Sequence, residues 1–317
     1  DDMMNKFIVL LLLVMLSLAS LFIGAGDITA MDILRLEDSK VELLLISRIP
    51  RLASIIIAGM GMSIAGLIMQ QISRNKFVSP TTAATVDSSR LGILVGMILI
   101  PGAGTLWKMS LSFVFAVGGT MVFMRLLDRI KIKNTVFIPL VGIMLGSIIE
   151  SFTTFLAYRY DLVQNVNSWL QGDFSMIMKG RFELLYISIP LLIVAWNYAD
   201  RFTVAGMGED FALNLGLNYK TVVNIGVTIV ALISATVIVT VGRIPFLGLI
   251  IPNLVTLYRG DNMKGNIWIV ALSGSAFLLF ADILGRLVIY PYEVSISLTV
   301  GVMGSMIFLY LLLRGDR

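Results

Sequence analysis

Catalytic chemistry has little to work with in this chain. It contains no histidine and no cysteine. That removes the commonest general base and metal ligand, along with disulfides, thiolate metal sites and thiol nucleophiles. No Gly-x-x-x-x-Gly-Lys-Ser/Thr loop occurs, so the chain does not hold ATP through that motif, and no basic run of the nucleic-acid-binding kind is present. What remains is charge at special places. Arg48-Ile-Pro-Arg51 sets two guanidiniums either side of a proline, directly ahead of the apolar run 52–70. A guanidinium is a planar, permanently charged fork that matches a carboxylate bidentately, so this pair is suited to an acidic partner. Glu150 lies inside the apolar run 136–157, and Asp87 and Arg90 lie three apart near the start of another, where one helix face can pair them. An ionisable group within an apolar span marks a functional site by default. The plainer alternative for Glu150 is a polar seam in which it is simply hydrogen-bonded.

These groups sit in a chain that cannot cover itself with polar surface. Only 14% of its 317 residues are charged and 57% are hydrophobic, where a soluble domain carries about 25% charged residues. Mean hydropathy is +0.92. The protein is integral to a membrane, and its length measures spans rather than soluble domains.

Ten apolar runs follow one another: 7–23, 52–70, 91–101 (starting near 81, after the break at Pro80), 111–127, 136–157, 184–198, 222–241, 246–257, 267–284 and 294–313. About 20 apolar residues cross a bilayer as a helix. The first run follows Lys6 and precedes Ala25-Gly26, so a cleaved signal peptide is its alternative reading. Between the first two runs, 27–47 is acid-rich and reads as a loop outside the membrane, as does polar 159–181; 200–220 looks like a soluble segment. Ten spans put both termini on one side, and the Lys and Arg of the flanks and loops lean toward that side, which makes it cytoplasmic. Arg48, Arg51, Arg243 and Arg286 then stand at outer helix mouths, an unusual number of cations for that face. Gly59 with Gly66, and Gly301 with Gly304, are small residues spaced to let helices approach closely.

Five stretches, in order, resemble the FecCD/BtuC-like family of permeases from ATP-binding-cassette importers for iron–siderophore complexes, haem and cobalamin. Arg48-Ile-Pro-Arg51 with Gly59, Gly66 and Gln70 is similar to the family's Arg-x-Pro-Arg helix. Arg74-Asn-Lys-Phe-Val-Ser-Pro80 resembles its Asn-Pro-Leu-x-x-Pro turn, with Lys76 where proline is usual. Gly208-Glu-Asp-Phe-Ala-Leu-Asn-Leu-Gly216 is similar to Gly-Glu-x-x-Ala-x-x-Leu-Gly, Phe246-Leu-Gly-Leu-Ile-Ile-Pro252 to Phe-x-Gly-Leu-x-x-Pro, and Ala281-Asp-Ile-Leu-Gly-Arg286 to Ala-Asp-x-x-x-Arg. Asn253 and Thr256 stand where the family usually has histidine and arginine, and Glu293-Val-Ser-Ile-Ser297 replaces Glu-Leu-Pro-x-Gly. These variants look like a branch found in Gram-positive ferric-siderophore importers.

The resemblance implies an all-α polytopic fold of about ten transmembrane helices, the BtuC-like type II importer fold, in a single transmembrane domain over 1–317. It implies a permease subunit that moves a ferric siderophore across the cytoplasmic membrane and catalyses nothing itself, with no cofactor and no resident metal. Its implied partners are separate ATPase subunits, a second permease (the same chain or another) and an extracellular or lipoprotein siderophore-binding protein. Arg48, Arg51 and Arg286 would receive carboxylates of that binding protein; the alternative is that they snorkel to headgroups or pair with Asp282 and Glu293. Within 200–220, Gly208, Glu209, Ala212, Leu215 and Gly216 would form a coupling helix in a groove of the ATPase, Ala212 and Leu215 sharing the contact face. Asn134 and Thr135 fall where relatives place a gate, and Glu150 on the span that lines the pathway. The rival reading is an ion-coupled secondary transporter using Glu150, Asp87 and Arg90, which would need neither ATPase nor binding protein.

Overall fold

A computed structural model describes residues 2–24, 38–130, 137–180 and 182–314. They are almost wholly helical: α1 (Asp2–Phe22), α2 (Asp38–Leu43), α3 (Ile49–Ile72), α4 (Thr85–Leu99), α5 (Thr105–Arg129), α6 (Phe137–Arg159), α7 (Val163–Leu170), α8 (Ser188–Gly206), α9 (Glu209–Asn214), α10 (Tyr219–Thr240), α11 (Leu247–Arg259), α12 (Met263–Leu287) and α13 (Ile296–Arg314). No strand occurs among the described residues, only two isolated bridges, Gln171 with Arg243 and Ile289 with Tyr292. Six helices are long and apolar enough to cross a membrane, and Lys6–Phe22 and Leu247–Arg259 are shorter apolar helices. The chain is a multi-pass membrane protein.

The bundle is organised around α3. Most of its residues are buried, and α8, α10, α11 and α12 pack on it. A helix apolar all round belongs in the middle of a bundle, and two glycines let neighbours come close. A Cβ at Gly59 would lie 2.7 Å from the Ser275 Cα of α12, and one at Gly66 would strike the Gly248 carbonyl of α11. That carbonyl is free to face α3 because Pro252, four residues on, has no N–H to offer it.

The sequence predicts that 27–47 is a loop. Its described end is helical instead: α2 runs through a π turn, Leu44–Arg48, straight into α3, so Ser39–Ile72 is one apolar helix. Pro50 accounts for the disturbance. It cannot donate to the Ile46 carbonyl, and the Lys179 amide from a distant segment does so instead, at 3.0 Å. The polar segment 159–181 likewise contains a helix, α7. Span six, predicted to end at 198, continues to Gly206 in α8.

Of the helices that the apolar runs form, two fall well short of the hydrocarbon thickness. α4 and α11 have 15 and 13 residues, about 22 and 20 Å long against a hydrocarbon core of about 30 Å. Each begins inside the bundle, shortly after a proline and directly after a left-handed non-glycine residue: Ala84 (φ 58°) after Pro80, and Phe246 (φ 62°) after Pro245. The irregular backbone before α4 is buried at Val78, Ser79, Pro80, Ala83 and Ala84, and local side chains help to satisfy it. Asn75 Oδ1 accepts from the Phe77 amide at 2.8 Å, and Thr82 Oγ1 from the Ser79 amide at 2.8 Å. Non-helical backbone survives at membrane depth only when protein encloses it in this way. The breaks touch: Asn253 Nδ2 of α11 donates to the Lys76 carbonyl at 2.7 Å. Two departures from the family pattern therefore meet in one contact.

Candidate functional site

Charge gathers at the two ends of α3 and in one place between them. At its start, Arg48 and Arg51 meet Asp282 and Arg286 from the last turns of α12 and Glu293 from the segment joining α12 to α13. Arg51 Nη2 bonds Asp282 Oδ1 at 2.8 Å and Nη1 bonds Glu293 Oε2 at 2.8 Å. Asp282 also takes Arg286, through Nε at 2.9 Å and through Nη2. The last carbonyls of α1 have no partner within their own helix, and the same arginines serve them. Arg286 Nη1 donates to the Ser20 and Ile23 carbonyls, each at 2.8 Å, and Arg48 Nη1 to the Ile23 carbonyl at 2.5 Å. Arg286, from the far end of the sequence, thus joins Arg48 and Arg51 in one cluster. All three are largely buried and face inward, onto carboxylates and helix ends of their own chain. Asp282 and Glu293, which the sequence offers only as alternative partners, complete the site. The i,i+4 spacing of Asp282 and Arg286 signals the first pairing; Glu293 is 242 residues from Arg51 and gives no local signal.

At the opposite end lies the short helix α9. Gly208 enters it at φ 121° and Gly216 leaves it at φ 76°, both positive values that residues with a side chain rarely adopt. Glu209 and Asp210 stand in its first turn, where carboxylates suit the positive end of a helix. The predicted shared face of Ala212 and Leu215 is not found: Ala212 is fully buried against the bundle, while Leu215 is exposed. Phe211 and Leu213, not singled out in the sequence, are exposed beside it. Six residues are too few for periodicity to tell which side of a helix packs inward. Next to α9, Gln71, Arg74, Lys76, Thr203 and Asp261 line a recess. Ion pairs cross its surroundings, Lys76–Asp261 at 3.1 Å and Lys264–Asp200 at 2.5 Å.

Between the ends, α4 and α6 share three charges. Arg90 Nη1 lies 3.3 Å from Glu150 Oε1 and 4.0 Å from Asp87 Oδ1. The Arg90 side chain is only 4% exposed, whereas that of Glu150 is 48% exposed in the single chain. Glu150 stands in a polar stripe of α6 with Ser147, Ser151 and Thr154, all exposed, and the two serines bond back to carbonyls of their own helix. The predicted pairing of Asp87 with Arg90 is present, with Glu150 as a third member. Asn134 and Thr135 lie outside the described residues.

The sequence model described as the FecCD transport family matches residues 11–314. The chain is 60% identical, over 304 residues and 96% of each chain, to the petrobactin import system permease protein YclN of Bacillus subtilis. It is 39% identical, over 94% of this chain and 95% of the other, to the ferric-anguibactin transport system permease protein FatD of Vibrio anguillarum. Among solved structures, an inward-facing metal-chelate type ABC transporter superposes with a TM-score of 0.83 at 20% identity, covering 98% of both chains. That last likeness concerns the fold.

Proposed function

The chain belongs to the FecCD transport family, and from that membership we propose that it is the permease subunit of an ATP-binding-cassette importer for a ferric siderophore. The observation that carries this reading is the 60% identity to a petrobactin permease across 96% of both chains. Such a permease hydrolyses nothing; a separate subunit burns the ATP. In this reading α1, α3, α4, α5, α6, α8, α10, α11, α12 and α13 are the ten membrane helices of one domain over 1–317, with both termini in the cytoplasm. The arginine cluster then lies at the extracellular end of the bundle, where an extracellular or lipoprotein binding protein would dock, and α9 lies at the end that meets the ATPase.

The coupling role rests on exposed Phe211, Leu213 and Leu215 rather than on Ala212, since an apolar face with no cover of its own is what a helix-in-groove contact requires. The pathway role of α6 rests on Glu150 and its hydroxyl neighbours. A half-exposed carboxylate in mid-membrane is costly against lipid, so this face meets water or the second permease, identical or not. Asn134 and Thr135 stay with the cytoplasmic gate by family position alone. The test is ATPase activity of the permease–ATPase complex reconstituted with binding protein and a panel of ferric chelates. Stimulation by ferric petrobactin or a related chelate is expected; stimulation by none of them would remove the siderophore from the proposal.

One observation favours a second reading. Arg90 with Asp87 and Glu150 is a membrane-depth group of the kind an ion-coupled transporter uses. Uptake that persists without the ATPase would select it.

A further inference from the structure

The two carboxylates on the arginine cluster are held very differently. Asp282 is part of α12, its side chain is 4% exposed, and it bonds Arg51 and Arg286 together. Glu293 belongs to the non-helical segment before α13, its side chain is 27% exposed, and one bond at 2.8 Å to Arg51 Nη1 ties it to the cluster. If Glu293 swung away, Arg51 would keep Asp282 and present Nη1 outward.

The residues leading to Glu293 form a surface of their own. Leu287, Val288, Ile289 and Tyr290 are exposed, and Tyr292 is 75% exposed. Hydrogen bonds preform the turn: the Tyr292 amide donates to the Ile289 carbonyl at 2.8 Å, and the Val294 amide to the Gly285 carbonyl at 2.9 Å. Exposed tyrosine and aliphatic side chains packed beside a charged group are the composition of a protein-binding hot spot.

We propose that Glu293 is a placeholder on Arg51, displaced by a surface carboxylate of a soluble protein that covers the 287–292 turn as it docks. This rests on the reading of the arginine cluster as the docking site for the binding protein, and adds how that site is kept when empty. The exchange replaces one partly exposed ion pair by another of the same chemistry, so removing the internal competitor frees affinity for the external one. An anionic lipid headgroup is the rival occupant.

The test uses the permease–ATPase complex in nanodiscs of zwitterionic lipid, titrated with the extracellular binding protein of the same import system. Glu293→Gln is expected to tighten binding about fivefold, the size set by a partly exposed ion pair, and Arg51→Glu to abolish it. Should Glu293→Gln not assemble, Glu293→Asp draws the carboxylate back by one methylene and is expected to shift affinity the same way. Unchanged or weaker binding by the Glu293 variant, with Arg51→Glu still inactive, overturns the placeholder and leaves docking intact. Wild-type binding by Arg51→Glu overturns the docking reading itself. Because the chain has no cysteine, Tyr292→Cys carries a single environment-sensitive dye. Its burial on adding binding protein is expected; a response only to phosphatidylglycerol, in a parallel nanodisc that contains it, assigns the turn to lipid and contradicts the proposal.

Discussion

The arginine cluster and the α9 helix lie at opposite ends of α3, 24 residues apart along it, about 36 Å, and they treat their charged and apolar groups in opposite ways. The cluster hides charge: Arg51, Arg286 and Asp282 are buried and satisfy one another and the end of α1. The α9 end shows apolar surface: Phe211, Leu213 and Leu215 stand in the open, tethered to the bundle through buried Ala212. One end therefore holds the fold together through buried ion pairs. The other leaves apolar side chains uncovered, as the proposed contact with an ATPase requires.

That contrast ranks the variants. Asp282→Ala leaves two buried guanidiniums without their shared carboxylate, and is expected to cost about 3–5 kcal/mol, seen as a large fall in the unfolding temperature of the purified permease. An unchanged temperature would mean the cluster is not structural. Leu215→Glu is expected to lower ATP-driven uptake at least about tenfold, the effect of losing an interface anchor of about 2 kcal/mol, with unfolding unaltered. If uptake were normal, α9 would not be the coupling contact. Glu150→Gln removes the charged partner of Arg90 but leaves Asp87, so a loss of about 1–3 kcal/mol in stability is expected. A neutral result would show that Arg90 relies on Asp87 alone. Smallest of all, Lys76→Ala breaks an ion pair whose side chains are both more than half exposed. Its effect on unfolding should stay within about 1 kcal/mol.

Sequence reading reached the ends of this molecule better than its interior. Arg-Ile-Pro-Arg and the Asp282–Arg286 spacing mark the cluster because charge next to an apolar run is conspicuous, and Gly208 and Gly216 mark the bounds of α9 because glycine tolerates the left-handed backbone found there. The broken helices were only half legible. Pro80 and Pro245 announce a break, but nothing about Ala84 or Phe246 as residue types says that they turn left-handed and start α4 and α11 inside the bundle. Hydropathy also misplaced the end of α8, because its last turns carry Asp200 and Arg201 and still hold Phe202 and Ala205 in the core. The Glu293–Arg51 pair depends on tertiary packing alone.

The division of labour between the two ends is tested most directly by ferric-chelate uptake into proteoliposomes containing the permease and its ATPase, with binding protein and ATP supplied on opposite sides. Uptake is predicted only when both are present, binding protein on the Arg51 face and ATP on the Leu215 face. Uptake driven by an ion gradient, with neither of them present, would contradict the account.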